Sequence, residues 1–392
     1  MAGGALMAAP PATLEMLRRL VSFDTTSTKS NLAIIDFIRD YLAGHGVACR
    51  LTPSADGTKS NLFATIGPDI AGGIVLSGHT DVVPVAGQPW DSDPFAIVER
   101  DGKLFGRGTS DMKGFIAAAL ALAPEMAAAR LRLPLHLAFS YDEELGCLGV
   151  GDLIEDIARN LPRPAICIVG EPTSMQLVNR HKGVYGWRTT ITGRDGHSSA
   201  PYRGVNAINA AAEIIGWLQR QAESWRRDGP FDDSFDPPYA TSNIGQIGGG
   251  TAVNIIAREC FIEWEVRPIP GVDANETFQR LQDFVDSDLL PRLRRVASES
   301  RIDSEQTSAA PPLRPEADSP AEALIRHLTG ANQAVGVAYG TEGGLFQAAE
   351  ISTVICGPGS IQQAHQPNEF IALEQLQACD SFLRRLLDWA RA

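Results

Sequence analysis

Apolar residues in the first half of the chain recur with two different periods, and these periods alternate. Residues 12–48 carry apolar side chains at helical spacing on both sides of a polar break at residues 24–30. That break is either a substrate loop or a plain connection between two helices. Further along, short apolar runs typical of buried strands alternate with longer stretches typical of helices. We predict strands over residues 61–66, 74–78, 133–141 and 165–169, and helices over residues 115–129 and 150–159.

The order of predicted elements changes at residue 184. From there it becomes β-α-β-β-α-β, the ferredoxin-like arrangement, with strands near 184–193, 240–247, 258–267 and 300–308 and helices near 207–224 and 274–289. After Pro311 and Pro312, helix and strand alternate again over residues 321–328, 351–356 and 373–390. The sequence therefore predicts an α/β domain built from residues 1–184 and 310–392, interrupted by an inserted α+β domain over residues 185–309.

Acidic and histidine side chains follow the predicted strands of the α/β domain. His79 and Asp81 lie two residues apart at the end of one strand and therefore point to the same side. A lone His-x-Asp is usually incidental, and an Asp at position 111 has helix capping as its simple explanation. In open α/β sheets, however, ligands bind outside the carboxyl ends of the strands. The segments that deliver acids or histidine to this edge are 79–81, 111, 143–144 and 171, and together they predict a metal site.

Length and charge narrow the class of protein. A chain of 392 residues favours two domains, and its net charge of −13 argues against nucleic acid or an anionic membrane as a partner. Residues 1–11 show no signal peptide, and the longest apolar run, 115–123, is too short to span a bilayer. The six cysteines form no C-x-x-C pair, so we expect buried free thiols in a reducing cytoplasm.

Five motifs together resemble the zinc aminoacylase/carboxypeptidase superfamily of metallohydrolases along essentially the whole chain. They cover residues 77–84, 106–114, 142–144, 170–173 and 196–199. Within this superfamily the chain most resembles the acetylornithine deacetylases, through residues 21–27, 340–346 and 356–365. The resemblance implies a zinc-peptidase-like catalytic domain, whose central mixed sheet has helices on both faces, and an inserted ferredoxin-like lid that forms a homodimer.

The resemblance also implies two zinc ions per subunit, which cobalt can replace. It assigns His79 and Glu171 to one ion and Glu144 and His365 to the other, with Asp111 bridging both. Clustered carboxylates and imidazoles are suitable ligands for such a pair of divalent ions.

Two residues and one peptide bond complete the implied centre. Asp81 would orient His79, because a ligating imidazole usually donates its second N–H to an acceptor such as a carboxylate. Glu143 would be the general base, which takes a proton from water and hands it to the leaving amine. The peptide bond after the bridging aspartate, Asp111–Met112, would be cis.

Four residues are candidates for contacts with the substrate. His197 would stabilise the oxyanion from a partner subunit, although a plain turn histidine is an equal alternative. Arg267 and Asn254 would bind an α-carboxylate, and the alternative for Arg267 is a surface ion pair. Glu342, in a glycine-flanked loop, would pair with the δ-ammonium group of acetylornithine.

These residues predict a metal-dependent amidohydrolase that acts on linear amides. The leading hypothesis is removal of the acetyl group from N2-acetyl-L-ornithine in arginine biosynthesis. Three alternatives keep the chemistry and change the substrate: a succinyl-diaminopimelate desuccinylase, an acetylcitrulline deacetylase and a general aminoacylase or dipeptidase. An inactive binding relative is an alternative from another class, and the complete ligand set with Glu143 argues against it.

Overall fold

A computed structural model describes residues 10–391 of the chain in two compact units. Residues 1–9 lie outside the described part of the chain. The prediction that residues 1–11 form no signal peptide falls mostly on them. Of the described residues, the first unit contains those up to Arg180, Leu313–Gly336 and those from Thr341 onward. The second unit contains His181–Pro312 and Val337–Gly340.

Strands and helices are numbered in chain order. The strands are β1 (Cys49–Pro53), β2 (Ser60–Ile66), β3 (Ile74–His79), β4 (Val98–Arg100), β5 (Lys103–Phe105), β6 (Leu135–Ser140), β7 (Ile166–Pro172), β8 (Val178–His181), β9 (Val184–Thr192), β10 (Thr241–Gly249), β11 (Glu259–Arg267), β12 (Arg301–Ala310), β13 (Val335–Val337), β14 (Ser352–Gly357) and β15 (Phe370–Ala372). The helices are α1 (Pro11–Val21), α2 (Leu32–Gly44), α3 (Lys113–Ala128), α4 (Val150–Asn160), α5 (Ala207–Asp228), α6 (Ala274–Phe284), α7 (Leu290–Arg294), α8 (Pro320–Thr329), α9 (Gly343–Ala348) and α10 (Leu373–Arg391).

The largest sheet is mixed, as predicted, and its centre is parallel. Its eight strands run in the order β1-β2-β6-β3-β7-β14-β8-β13 within the described residues. Strands β6, β3, β7 and β14 are parallel to their neighbours in this group, whereas β1 and β2 are antiparallel. The carboxyl ends of four adjacent parallel strands therefore lie along one edge of the sheet.

Helix α3 packs inside the first unit, because it is apolar on nearly every face. Its buried side chains include Phe115, Ile116 and Leu120, and Pro124 lies within the helix. It contacts α1 and α10 as well as strands β3 and β7. The start of this helix is thereby fixed against the parallel strands, immediately after Asp111.

A small antiparallel sheet joins two distant segments of the first unit. Its order is β15-β5-β4, with Phe370 opposite Phe105 and Ala372 opposite Lys103. Strand β5 leads into the glycine-rich loop that contains Asp111, and β15 follows the segment that contains His365. None of these short strands was predicted, because three residues are too few to show a hydrophobic period.

The second unit has the predicted ferredoxin-like topology. Its sheet order is β10-β11-β9-β12, and helices α5 and α6 connect the strands in the β-α-β-β-α-β sequence. Stacked rings of Trp187, Trp264 and Phe278 lie in its separate core. The predicted second helix is longer than expected, since α6 continues through one π-helical segment, Val285–Leu289, into α7.

Two further sequence predictions concern the whole described chain. No helix among residues 10–391 has the length and apolar character required to cross a membrane. All six cysteines are free thiols, and all except the partly exposed Cys49 are buried.

We expect Gly170→Ala to destabilise the first unit by about 1–3 kcal/mol, the usual cost of overpacking a core. A Cβ atom at Gly170 would lie 2.0 Å from Cγ of Phe115 on α3. Gly151→Ala in α4 is the matched control, because no atom lies within 4 Å of its added Cβ and alanine favours helices by up to about 1 kcal/mol. Denaturant unfolding of both variants tests this, and equal stability of the two would contradict it.

Candidate metal centre

His79 ends strand β3 and is held by the backbone two residues further on. Its Nδ1 donates a hydrogen bond to the carbonyl oxygen of Asp81 at 3.0 Å, and the Asp81 carboxylate lies 3.5 Å from the same nitrogen. The other ring nitrogen, Nε2, therefore faces the acidic residues of the neighbouring segments. It lies 3.0 Å from Asp111 Oδ1, 3.6 Å from Glu171 Oε1 and 4.0 Å from Glu143 Oε2.

Asp111 lies between two histidines. Its Oδ1 faces His79, and its Oδ2 lies 3.3 Å from Nε2 of His365. The Asp111–Met112 peptide bond is cis, as predicted. The capping alternative for Asp111 is wrong, because Met112 occupies the position before α3 and no side chain caps this helix.

Glu143 and Glu144 follow strand β6 in a turn that is fixed by the Asp81 carboxylate. Asp81 accepts hydrogen bonds from the backbone N–H groups of Glu143 at 3.2 Å and Glu144 at 3.3 Å. It also accepts one from the hydroxyl of Ser27 at 2.8 Å, so the polar break after α1 supports this turn. The sequence did not reveal this use of the Asp81 carboxylate, since it requires knowing where the turn returns to the sheet.

Glu171 and His365 complete the cluster. Glu171 lies within the buried strand β7. His365 follows strand β14 in a left-handed backbone conformation with φ of 61°, and its Nε2 lies 3.0 Å from Glu144 Oε2. The side chain of His365 is 54% exposed, whereas those of Asp111 and Glu144 are almost fully enclosed.

The carboxylates of this cluster disfavour one another's charge. Burial, together with the neighbouring Asp111 carboxylate, raises the pKa of Glu144 to about 7. Burial also raises the pKa of Glu143 and of Glu171 well above the usual range. Hydrogen bonds to Asp111 and Glu144 raise the pKa of His365 to about 10. Enclosed acids with shifted pKa values are typical of functional sites.

The donor atoms fit divalent cations. Among residues 10–391, two groups of side chains have donor atoms within 4.8 Å of one another, namely His79 with Glu143 and Glu171, and His79 with Asp111 and Glu144. Carboxylate oxygens and imidazole nitrogens are ligands that zinc accepts, and nearby cations would offset the repulsion among the acids. This cluster therefore has the chemistry of a metal centre in the first unit.

Glu342 lies buried beneath the end of the sheet. Its Oε2 accepts a hydrogen bond from the Ser77 hydroxyl of β3 at 3.2 Å, and its Oε1 accepts one from the Ser140 hydroxyl of β6. Burial raises the pKa of Glu342 to about 7. Among the described residues, its side chain accepts hydrogen bonds only from these two hydroxyl groups. Such a buried carboxyl group favours pairing with a proton or a cation.

The other three candidate residues belong to the second unit. Nδ1 of His197 accepts a hydrogen bond from the backbone N–H of Ser199 at 3.1 Å, so the neutral ring carries its proton on Nε2. The carbonyl oxygen of Asn254 accepts a hydrogen bond from the backbone N–H of Ser198. Arg267 forms an ion pair with Glu265 at 3.0 Å, which is the surface pairing considered as its alternative role.

The sequence of the chain matches a family model over most of its length. Residues 75–389 match the peptidase family M20/M25/M40. The chain belongs to this family, and it is a metal-dependent amidohydrolase.

Two relatives agree with the motif resemblance. An acetylornithine deacetylase from Pasteurella multocida (strain Pm70) is 33% identical over 384 residues, covering 96% of this chain and 97% of the relative. One from Yersinia pestis is 36% identical over 393 aligned positions, covering 96% and 97%. The predicted resemblance to acetylornithine deacetylases is therefore confirmed.

Solved structures share the fold. An M20 family metallo-carboxypeptidase from Sulfolobus solfataricus has a TM-score of 0.73 at 17% identity, covering 97% of this chain and 100% of that chain. A dinuclear metal-binding peptidase of the M20 family from Bacillus subtilis has a TM-score of 0.64 at 16% identity, with 96% of each chain covered. The predicted fold class is thus confirmed.

For the metal-free protein, we expect the unfolding free energy of Glu144→Gln to increase relative to that of the wild type as the pH rises from about 5 to 7. Folded Glu144 holds its proton up to a pKa of about 7, while the unfolded chain releases it near 4.5. The folded state thus binds more protons in this window, so rising pH weakens the wild type by up to about 1.4 kcal/mol per pH unit.

Denaturant unfolding of both chelated proteins at several pH values measures this difference. Subtraction of the two curves removes the contribution of groups that the substitution leaves unchanged. A difference in unfolding free energy that stays constant or shrinks with rising pH would contradict the expectation.

Proposed function

We propose that this chain hydrolyses N2-acetyl-L-ornithine to L-ornithine and acetate as a step of arginine biosynthesis. The observation that carries the proposal is Asp111, whose two oxygens face His79 and His365 separately. Such a carboxylate is placed to be shared by two cations. The names of the sequence relatives support acetylornithine as the substrate.

The proposed ligands divide around Asp111. His79 and Glu171 would hold one zinc ion, Glu144 and His365 would hold the other, and cobalt would be able to replace either. Their short separations support this division. When bound, two such ions acidify water and polarise the amide carbonyl.

Glu143 is the proposed general base. Its carboxylate is 11% exposed, lies beside His79 and is held through its backbone by Asp81. It takes the proton of the attacking water and delivers it to the amine nitrogen as the amide bond breaks. Burial raises the pKa of Glu143, and a carboxylate with a raised pKa holds an accepted proton more readily.

His197 is the proposed oxyanion donor. Its Nε2–H group is free to donate because Ser199 occupies Nδ1. A neutral imidazole donor stabilises the negative charge that develops on the carbonyl oxygen. We place this contact across a homodimer, with His197 of the partner subunit facing the centre.

Exposed apolar residues on the second unit support a homodimer. Strand β10 lies at an edge of its sheet, and Ile247 on this strand is 55% exposed. Val253 and Ile255, which follow β10, are also exposed. An edge strand with apolar side chains is suited to pairing with a second copy. The free thiols fit a reducing cytoplasm as its location.

Arg267 and Asn254 are the proposed ligands of the substrate α-carboxylate. Binding would require Arg267 to exchange Glu265, its present carboxylate partner, for that of the substrate. Glu342 is the proposed partner of the substrate ammonium group.

A substrate panel tests the proposed function. Acetylornithine, acetylcitrulline, succinyl-diaminopimelate and neutral acetyl-amino acids are compared by product release with zinc or cobalt bound. We expect the highest kcat/KM for acetylornithine, and about 10²- to 10⁴-fold loss of kcat in Glu143→Gln. A higher kcat/KM for another acyl amine would reassign the substrate, and no hydrolysis of any would favour the inactive relative.

Glu342→Gln tests recognition of the ammonium group. We expect it to raise KM for acetylornithine by about tenfold, the effect of losing about 1.4 kcal/mol of binding, with a smaller change for neutral acetyl-amino acids. Steady-state kinetics on both substrate types measure the difference. Equal losses on both would show instead that Glu342 supports β3 and β6 through Ser77 and Ser140.

A further inference from the structure

Glu369 is a buried carboxylate that accepts four hydrogen bonds from the segment containing Asp111. Its Oε1 accepts from the backbone N–H groups of Ser110 at 2.8 Å and Asp111 at 3.1 Å. Its Oε2 accepts from the N–H of Gly108 at 3.0 Å and from Nη1 of Arg107 at 2.8 Å. Three backbone N–H groups of the loop are therefore fixed by one side chain.

Arg107 extends this network of hydrogen bonds to His365. Its Nη2 donates to Oε1 of Gln88 at 2.6 Å, and Nε2 of Gln88 donates to the carbonyl oxygen of His365 at 3.0 Å. Arg107 also lies over the ring of Trp90, with 5.1 Å from its Cζ to the ring centroid. One continuous chain of hydrogen bonds thus joins the backbone of Asp111 to the backbone of His365.

The burial of the Arg107–Glu369 ion pair indicates that it serves geometry more than stability. The Arg107 and Glu369 side chains are 1% and 0% exposed. Buried ion pairs contribute little to stability when compared with apolar side chains of similar size, because removing both charges from water is costly. Their geometric specificity is the stronger reason for a pair in this position.

The two ends of the network need such support. Asp111 must present its two oxygens in different directions, and its backbone is held by Glu369 rather than by a helix cap. His365 is half exposed and lies in a left-handed backbone conformation outside any strand or helix. A loop histidine of this kind keeps its ring in place only if its backbone is held.

We infer that Arg107 and Glu369 act as a positioning pair, which sets Asp111 directly and His365 through Gln88 so that both can bind metal. This inference rests on the proposed metal centre. Neither charged residue is among the proposed metal ligands or substrate contacts. Outer partners of metal ligands typically contribute 10- to 100-fold to metal affinity.

Two substitutions separate the two arms of the network. Glu369→Gln replaces one acceptor oxygen by an NH₂ group, which faces either the N–H groups of Ser110 and Asp111 or the Gly108 N–H and the Arg107 guanidinium. In both orientations the loop that ends at Asp111 loses two of its hydrogen bonds. Gln88→Ala removes the connection to His365, together with the acceptor of Arg107 Nη2 and Trp90 Nε1, and leaves the four hydrogen bonds that Glu369 accepts in place. Asp380→Asn is the control, because Asp380 is also buried but bonds Thr13, which is not part of this network.

The experiment titrates the metal-free full-length variants with Co²⁺, following visible absorption and heat. We expect Glu369→Gln to weaken both cobalt affinities by about 10- to 100-fold, and Gln88→Ala to weaken one of them by about tenfold. The unfolding midpoint of each metal-free variant is measured in parallel. Asp380→Asn is expected to bind cobalt as the wild type does, whatever its unfolding midpoint.

Three outcomes would overturn the inference. Wild-type cobalt affinities in folded Glu369→Gln and in Gln88→Ala would remove the positioning role and leave the proposed metal centre intact. An equal loss of cobalt affinity in Asp380→Asn would show that the effect comes from general destabilisation. A wild-type chain that bound no cobalt would overturn the metal centre together with this inference. If Glu369→Gln does not fold, the loss of one cobalt affinity in Gln88→Ala decides alone.

Discussion

Mutual repulsion among enclosed carboxylates is the constraint on which the rest of the first unit depends. Asp111, Glu143, Glu144 and Glu171 converge around His79, and burial disfavours the charge of most of them. Such groups separate unless the backbone that carries them is rigid or cations compensate them. The fold supplies rigidity by placing each acid at a different fixed point along the carboxyl edge of the parallel strands, and the donor set is suited to the cations.

Rigidity at this edge has two sources. Strands β6, β3 and β7 are adjacent and parallel, so the residues that end them keep their spacing through the sheet hydrogen bonds. The loops beyond the strands have no such ladder. They are held by side chains instead, with Asp81 fixing the Glu143–Glu144 turn and Glu369 fixing the Asp111 loop. Acidic residues thus serve in two ways, some facing the centre and others binding backbone N–H groups around it.

The sequence predicted which side chains lie together at the sheet edge better than it predicted the hydrogen bonds that hold them. The placement of His79, Asp111 and Glu171 followed from strand ends and motifs, because chain order determines which residues reach the sheet edge. The hydrogen bonds were not predictable in the same way. His79 bonds the Asp81 carbonyl rather than its carboxylate, and Glu369 bonds a loop more than 250 positions earlier. Such choices depend on small differences in backbone position that no local pattern records.

The two units carry different parts of the proposed chemistry. Every candidate ligand and the proposed base belong to the first unit, whereas His197, Asn254 and Arg267 belong to the second, which has its own core of stacked rings. A separate core allows the second unit to change its surface side chains without disturbing the carboxylate cluster. Among the proposed substrate contacts Glu342 alone belongs to the first unit, so a change of acyl amine would involve the second unit and this one buried carboxyl group. For this reason the centre identifies the reaction more firmly than it identifies the substrate.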